Sequence, residues 1–452
     1  MKRKKIVLIG AGSAVFTQGL VADFIMAKNF GLWEIALVDI NEQAHHSITT
    51  LTNKMVKEKN ADIVITSSSN RRDVLPDADV VITTIAVGGR RAWENDVIIP
   101  RKYGIYQPVG DTTMPGGISR ALRMIPVMID ISKDIKELCP DAHFINYSNP
   151  MTAICQAIQK VTGVNVTGLC HGVIHVEQYL AKFINAKNSE VKSLGVGINH
   201  LTFLYDLRIN GKNAWPIIDQ ELHRQKKMEP GSSIGKEEKI LYENSYKNNQ
   251  FSWSFYERYG VFPAVLDRHV TEFFPEHFPN GKYYGKVLGK EVFSLESVIA
   301  EGDKIYEEMH EQAQGRLPLD EKFFKRTEGE HEQLVEILRS IYNDERKIFS
   351  VNLPNEGAVP NLPAHAVLEL PAVATGMGLI PLHINDFPDE LALILRKRIH
   401  VVDLTVEAAL TGKKSLLVEA MVADGAVDSK EMANSLAEEL LITNKQYLPQ
   451  FN

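Results

Sequence analysis

Short apolar runs alternate with amphipathic stretches through the first 150 residues, the pattern of parallel βαβ units. The runs Lys5–Ile9, Glu34–Val38, Ile63–Thr66, Val80–Thr84, Phe144–Tyr147 and Val164–Leu169 are rich in Val and Ile and close on Gly, Asp, Asn or Ser. Runs of this kind are strands buried on both faces, so the pattern predicts an α/β fold with a doubly wound parallel sheet. Apolar residues recurring at three and four predict helices over Ser119–Leu138 and Met151–Val161.

After about residue 195 the texture changes. Segment Arg224–Gln250 is polar, carries Pro230-Gly-Ser-Ser and Gly235, and reads as a mobile connection or lid. Leu334, Ile337, Leu338 and Ile341 form a helical stripe, and Glu390–Leu410 and Lys430–Leu441 have helical character. The change predicts two domains, 1–195 and 196–452, meeting near Leu194–Val196.

Composition narrows the class of protein. Of 452 residues, 44% are apolar and 24% charged, the balance of a soluble globular chain. Fifty Lys and Arg against 57 Asp and Glu give a net charge of −7. With no basic surplus, nucleic acid and membrane surfaces are not expected partners. Three cysteines, Cys139, Cys155 and Cys170, are too few for a disulfide framework and fit a reducing compartment. The apolar run after Met1-Lys-Arg-Lys-Lys breaks at Gly10-Ala-Gly12, which suits a buried first strand better than a secretory signal. No apolar run reaches the ~18 residues of a membrane span, so the expected location is cytoplasmic.

Several motifs carry chemistry. Gly10-Ala-Gly12-Ser13-Ala14-Val15 follows a predicted strand and opens a predicted helix, where glycines let the backbone approach a pyrophosphate at the helix N-terminus. Val15 replaces the third glycine of the usual fingerprint, so the helix must pack differently there or sit further from the sheet. Asp39 ends the next strand somewhat beyond the usual ~20 residues for the acid that holds an adenosine ribose. A carboxylate there repels a 2′-phosphate and favours NAD over NADP.

Asn146-Tyr147-Ser148-Asn149-Pro150 sits at the carboxyl end of a predicted strand, where open α/β sheets bind ligands, and Asn149 offers a donor and an acceptor. Cys170 and His200 follow two further strands and could share a metal; thiolate softness alone suggests zinc or iron. Asp267-Arg268-His269 sets an acid, a guanidinium and an imidazole side by side, as a base and a carboxylate clamp or as a surface ion pair. The run Gly104–Arg120 is loop-like and then helix-like; its glycines permit close approach to a ligand, and Asp111 and Arg120 add opposite charges.

Taken in order, Gly10-Ala-Gly12-Ser13, Asp39, Pro115-Gly116-Gly117, Asn146-Tyr147-Ser148-Asn149-Pro150, Cys170-His171-Gly172-Val173, Gly197-Ile198-Asn199-His200 and Val351-Asn352-Leu353-Pro354-Asn355 resemble the NAD-dependent glycoside hydrolases of family 4. That family is an exception to two-carboxylate glycoside hydrolysis. The resemblance implies the fold of lactate and malate dehydrogenases, a Rossmann domain followed by an α+β domain, assembled as homodimers or homotetramers. It implies bound NAD through Gly10, Gly12, Ser13 and Asp39, and Mn2+ held by Cys170 and His200, which overrides the zinc reading. It further implies net hydrolysis through hydride removal from sugar C3, loss of the C2 proton, elimination at C1, water addition and hydride return. In this scheme Asp267 is the candidate base, His171 the candidate acid to the leaving group, and Asp111 a supporting group or acid.

Asn149 and His269 are expected at the sugar, and Arg120 and Arg268 at a carboxylate. The stretches Gly104–Pro126 and Tyr259–Phe273 resemble most the α-galacturonidase branch, and the Cys-His-Gly motif the α-glucuronidases and α-glucosidases. The expected substrate is therefore an α-uronide. The alternatives are an α-glucoside or α-galactoside, or net dehydrogenation of a sugar or hydroxy acid.

Overall fold

The computed structural model describes residues 3–27, 30–227, 246–324 and 332–451. Of the polar segment Arg224–Gln250, residues 228–245 lie outside the described residues. The apolar runs form β1 (Lys4–Ile9), β2 (Trp33–Val38), β3 (Ile63–Ser68), β4 (Val80–Thr83), β5 (His143–Asn146) and β6 (Val166–Gly168), all parallel, in the order β3-β2-β1-β4-β5-β6. The order reverses beside β1. There the carboxyl ends of β1 and β4 part and leave the crevice in which doubly wound folds take a dinucleotide.

Helices α1 (Ala14–Met26), α2 (Glu42–Glu58), α3 (Gly89–Lys102), α4 (Met114–Leu138), α5 (Met151–Thr162) and α6 (Gly172–Phe183) connect the strands. α4 begins five residues earlier than the apolar periodicity predicts, so Pro115, Gly116 and Gly117 belong to its first turn. Pro fits there because its missing N–H has no helical partner to lose. The glycines serve packing: a Cβ on Gly117 would lie 2.4 Å from the Thr112 carbonyl carbon, and one on Gly116 2.7 Å from the Asp96 oxygen. They bring a helix against a loop, where the sequence suggested close approach to a ligand.

The sheet continues past β6 in antiparallel fashion. Strand Lys347–Pro354 pairs β6, Val367–Thr375 pairs Lys347–Pro354, and β7 (Val191–Ile198) pairs Val367–Thr375. β8 (Leu201–Ile209) and Phe262–Ala264 extend it, and short strands Lys212–Asn213 and Gly378–Pro381 pair with β8 and Val367–Thr375. Later residues also cover the parallel strands. The predicted stripe Leu334, Ile337, Leu338 and Ile341 lies in helix Glu332–Asn343 and is buried with Leu20, Trp33 and Leu37. Helices Asp389–Thr411, Lys414–Asp424 and Lys430–Thr443 bury Leu404, Met421 and Leu436 with Ile125 and Met128 of α4. Among the described residues no helix is long and apolar enough to cross a membrane.

Candidate active site

Loops at the carboxyl ends of neighbouring strands converge on one region. In the β1–α1 turn, Gly10 has φ 93° and a Cβ on it would lie 2.8 Å from the Thr84 carbonyl carbon, so only glycine passes between the strand ends. The Gly12 N–H donates to Asp39 Oδ2 at 2.7 Å and the Asn41 N–H to Oδ1 at 2.8 Å, which fixes the carboxylate at the end of β2 beside the glycine turn. Val15 is 38% exposed while Ala14 is buried, so the valine points away from the sheet. Ser13 precedes α1 with no side-chain bond to its first turn, which leaves the backbone N–H groups of that turn for an anion.

After β5, Asn146 is an organiser. Its amide donates to the Ser148 carbonyl at 3.0 Å and accepts from the Ser148 N–H at 2.9 Å and from Thr83 Oγ1 at 3.0 Å. This folds the loop so that Asn149 Nδ2 donates to Asp111 Oδ2 at 3.0 Å, while Asn149 Oδ1 is buried without a partner. Tyr147 packs on Phe16 of α1, ring centroids 4.6 Å apart, tying this loop to that helix.

His200 stands at the tip of the β7–β8 hairpin with φ 69°, a left-handed conformation that a non-glycine residue adopts at a cost of about 1–3 kcal/mol. Thr112 Oγ1 lies 2.9 Å from His200 Nδ1 and 2.7 Å from Asp111 Oδ1. A hydroxyl has one proton, and the carboxylate can only accept, so Thr112 donates to Asp111 and His200 Nδ1–H donates to Thr112. That relay fixes the tautomer and leaves the His200 Nε2 lone pair free, as second-sphere carboxylates do for metal-binding imidazoles. The His269 ring lies 4.3 Å from that of His200, and its buried Nδ1 has no partner. Donor atoms of Asp111, His200 and His269 all lie within 4.8 Å of one another.

Burial lowers both imidazoles from their ordinary pKa, His269 strongly, which keeps them neutral and able to ligate. Burial pushes the Asp111 carboxyl up, but its charged and hydrogen-bonding surroundings, the Arg120 guanidinium and the Thr112 hydroxyl among them, hold it below the usual carboxylate range. Arg120 donates from Nε to the Asn149 carbonyl at 3.0 Å, its one side-chain hydrogen bond among the described residues, and the Arg268 Nε is buried without a partner.

The model described as Family 4 glycosyl hydrolase matches residues 5–186, and the model of that family's C-terminal domain matches 195–427. The chain belongs to family 4 of the glycosyl hydrolases. Among its family 4 relatives, an α-galacturonidase of Thermoanaerobacterium saccharolyticum is 30% identical over 463 residues, 98% of this chain and 96% of the relative. An α-galactosidase of Bacillus subtilis is 27% identical over 452 residues, 99% of this chain and 100% of the relative. A 6-phospho-α-glucosidase from gut microorganisms, solved with NAD and Mn2+, superposes over 100% of both chains with a TM-score of 0.85 at 18% identity. Malate dehydrogenase of Cryptosporidium parvum superposes over 90% of this chain and 99% of its own with a TM-score of 0.52 at 14% identity, which confirms the dehydrogenase fold.

In this family 4 chain the structure brings together Asp111, Arg120, Asn149, His200 and His269, with Arg268 adjoining. His171 is exposed at the N-terminus of α6, near His200 and His269. Cys170 is buried and accepts from the Gly172 N–H at 3.3 Å; it is outside the Asp111, His200 and His269 group. Gly172 is needed there, since a Cβ would lie 2.1 Å from Val265 Cγ1 and push away the turn that carries His269.

Asp267 is placed differently from its neighbours. Its carboxylate accepts from the Phe251 N–H and Ser252 N–H, both at 2.8 Å, from Ser252 Oγ at 2.6 Å and from Tyr283 Oη at 2.5 Å, with no solvent exposure. It anchors the N-terminus of helix Gln250–Tyr259 and is not brought into the histidine cluster.

Sequence reasoning missed four supports. Thr112 orients His200. Asn199, beside it, is fully buried with both amide atoms unpartnered. Glu272 Oε1 accepts the N–H groups of Val109 and Gly110, and Asp424 Oδ2 accepts from Thr113 Oγ1 and the Met114 N–H, so two distant carboxylates hold the loop of Asp111. Thr112 and Asn199 lie within motifs already noted; Glu272 and Asp424 have no local signal.

Proposed function

We propose that this family 4 enzyme is an α-glycosidase that hydrolyses α-linked uronides, galacturonides or glucuronides, with NAD and a divalent cation, Mn2+, as cofactors. The observation that carries the substrate class is the pair of under-used guanidiniums: Arg120 and Arg268 stand at the cluster with donors to spare. A planar fork of N–H donors suits a sugar carboxylate. The α-galacturonidase relative supports the same class.

The residues present fit both cofactors. The glycine turn, the open α1 N-terminus and Asp39 suit a dinucleotide, and NAD when bound supplies a hydride acceptor for a sugar carbon. Two neutral imidazoles and an ionised carboxylate suit Mn2+ better than a thiolate alone does; His200 would hold it, with Asp111 and His269 at hand and Cys170 the donor implied by family resemblance. A divalent cation there supplies a Lewis acid for the sugar hydroxyls.

The chain's own residues do the rest. Asn149 Oδ1 accepts a sugar hydroxyl, and Asp111 holds Asn149 Nδ2 turned away so that this oxygen faces the ligand. Arg120 and Arg268 clamp the carboxylate. His171, exposed at the rim, gives its proton to the departing oxygen, a task an imidazole performs near neutral pH. A base role for Asp267 requires its carboxylate to leave the helix it anchors. The dehydrogenase-type fold supports assembly as a homodimer or homotetramer.

The test is NMR of turnover in D2O with NAD+, Mn2+ and a thiol reductant over α-galacturonides, α-glucuronides, α-glucosides and α-galactosides. Deuterium at C2 of a released uronic acid, without NADH accumulating, is the expected result. Cleavage of neutral glycosides alone refutes the uronide assignment, and stoichiometric NADH makes the protein a dehydrogenase.

A further inference from the structure

The Val351-Asn352-Leu353-Pro354-Asn355 run lies where the parallel and antiparallel parts of the sheet meet. Asn352 faces Glu369 across the antiparallel pair, and one lateral row runs Asn146, Gly168, Asn352, Glu369, Gly197, Thr202. Asn352 and Glu369 are therefore the rungs between the end of β6, just before Cys170, and the end of β7, just before His200. The flanking glycines leave no slack. A Cβ on Gly168 would lie 2.9 Å from Asn352 Cβ, and one on Gly197 2.1 Å from the Leu201 oxygen.

Both side chains are enclosed, Asn352 at 0% and Glu369 at 2% exposure. Asn352 Nδ2 donates to the Gly168 carbonyl at 3.4 Å, and Thr202 Oγ1 donates to Glu369 Oε2 at 2.5 Å. Two oxygens remain without a partner, Asn352 Oδ1 and Glu369 Oε1. Directly opposed residues of an antiparallel pair have side chains within reach of each other. An ionised carboxylate would leave Asn352 Oδ1 without a donor and a buried charge with no cation beside it, the costliest arrangement for a polar pair. A proton on Oε1 supplies the one donor that satisfies both.

We infer that Glu369 is kept as a neutral carboxylic acid donating to Asn352, and that this pair is a positioning device setting the spacing of the strand ends that carry Cys170 and His200. Burial acts in the same direction, pushing the Glu369 carboxyl up to about 7 against the opposing hydrogen bonds of Thr202 and Asn352, with no charged group acting on it. The protonation stands on the structure alone; the positioning role rests on the metal reading above.

Protonation is read by carbon NMR of the full-length protein with carboxyl-labelled glutamate at pH 6. A neutral-acid resonance present in the wild type and missing in Glu369→Gln is expected; a Glu369 signal at the ionised position overturns the inference. Positioning is read by Mn2+ titration with EPR detection. Glu369→Gln keeps a donor for Asn352 and retains affinity within about 3-fold, whereas Glu369→Leu weakens it about 10-fold or more with NAD affinity unchanged. Equal Mn2+ affinity in two folded variants overturns positioning. A wild type that binds no Mn2+ refutes the metal reading instead, and the labelled carboxyl still decides the proton.

Discussion

Glu272 is the most exposing place to perturb the site, because it holds the Asp111 loop from a segment that also carries His269. Replacing it with Ala removes Oε1 and strands the Val109 and Gly110 N–H groups, which it accepts at 2.7 and 2.8 Å. Each buried donor left unpaired costs about 1–3 kcal/mol, so Glu272→Ala is expected to lose about 2–6 kcal/mol. It should also lower turnover about 100-fold, the scale for an ångström of misplacement in a reacting group. Glu272→Gln keeps the one oxygen that makes both bonds. Burial pushes the Glu272 carboxyl up to about 8, helped by the nearby Asp111 and Asp424 charges and opposed by its two backbone bonds.

A folded pKa raised above the unfolded value of ~4.3 means that its stabilisation is complete below that value and lost as pH rises through about 8. Between pH 6 and 8 the wild type therefore loses about 2 kcal/mol that the Gln variant, which cannot titrate, keeps. Other raised carboxyls cancel in the difference. For a chain of this length about 1 kcal/mol shifts the melting temperature by about 1 °C. Paired thermal scans should show Glu272→Gln gaining about 2 °C on the wild type over that pH range. A gap that is the same at both pH values refutes the buried, protonated state of Glu272.

Other outcomes follow from the same geometry. Asp111→Asn should fold and lose most turnover, whereas Asp267→Asn should mainly destabilise, by about 1–3 kcal/mol in denaturant unfolding, because it weakens a helix anchor; the reverse pattern would restore Asp267 as the base. Cys170→Ser and His269→Ala, each titrated with Mn2+ by EPR, assign the ligands beside His200, and unchanged affinity in either variant removes that residue from the set. Arg123→Leu should cost about 3–5 kcal/mol, since Asp96, paired with it at 2.5 Å and fully buried, is left as an isolated charge. Asp39→Ala should weaken NAD binding and narrow the preference over NADP in a fluorescence titration; an unchanged preference would exclude Asp39 from ribose recognition.

Local physics was enough for much of this protein. Runs such as Lys5–Ile9 and Val80–Thr84 are apolar on both faces and short, and few folds bury such runs other than a covered parallel sheet. The glycine turn after β1 was readable because glycines that close a strand and open a helix mark a place where backbones pass closely. His200 and Asn149 stood out for the same reason: polar groups at strand ends, where the fold leaves a crevice. The stripe from Leu334 to Ile341 was visible as a helix, but its destination against β1 and β2 was not. Apolar periodicity says which face is buried and nothing about what buries it.

Asp267 and Asp111 show where that reading stops. Beside Arg268 and His269, Asp267 has the look of a reacting group in one dimension, yet four donors from the 250–252 turn and Tyr283 engage its carboxylate in three. Asp111 is noted in the sequence for its charge and as a candidate acid, and it becomes part of a relay only because Thr112 meets His200. Glu272, Glu369 and Asp424 carry no local signature at all. The sequence by itself determined the sheet, the glycine turn and the strand ends where chemistry is possible, because these depend on neighbours along the chain. Only the tertiary structure decided which charges are buried, which donors reach them and therefore which side chains are free to react, because desolvation and hydrogen bonding depend on neighbours in space.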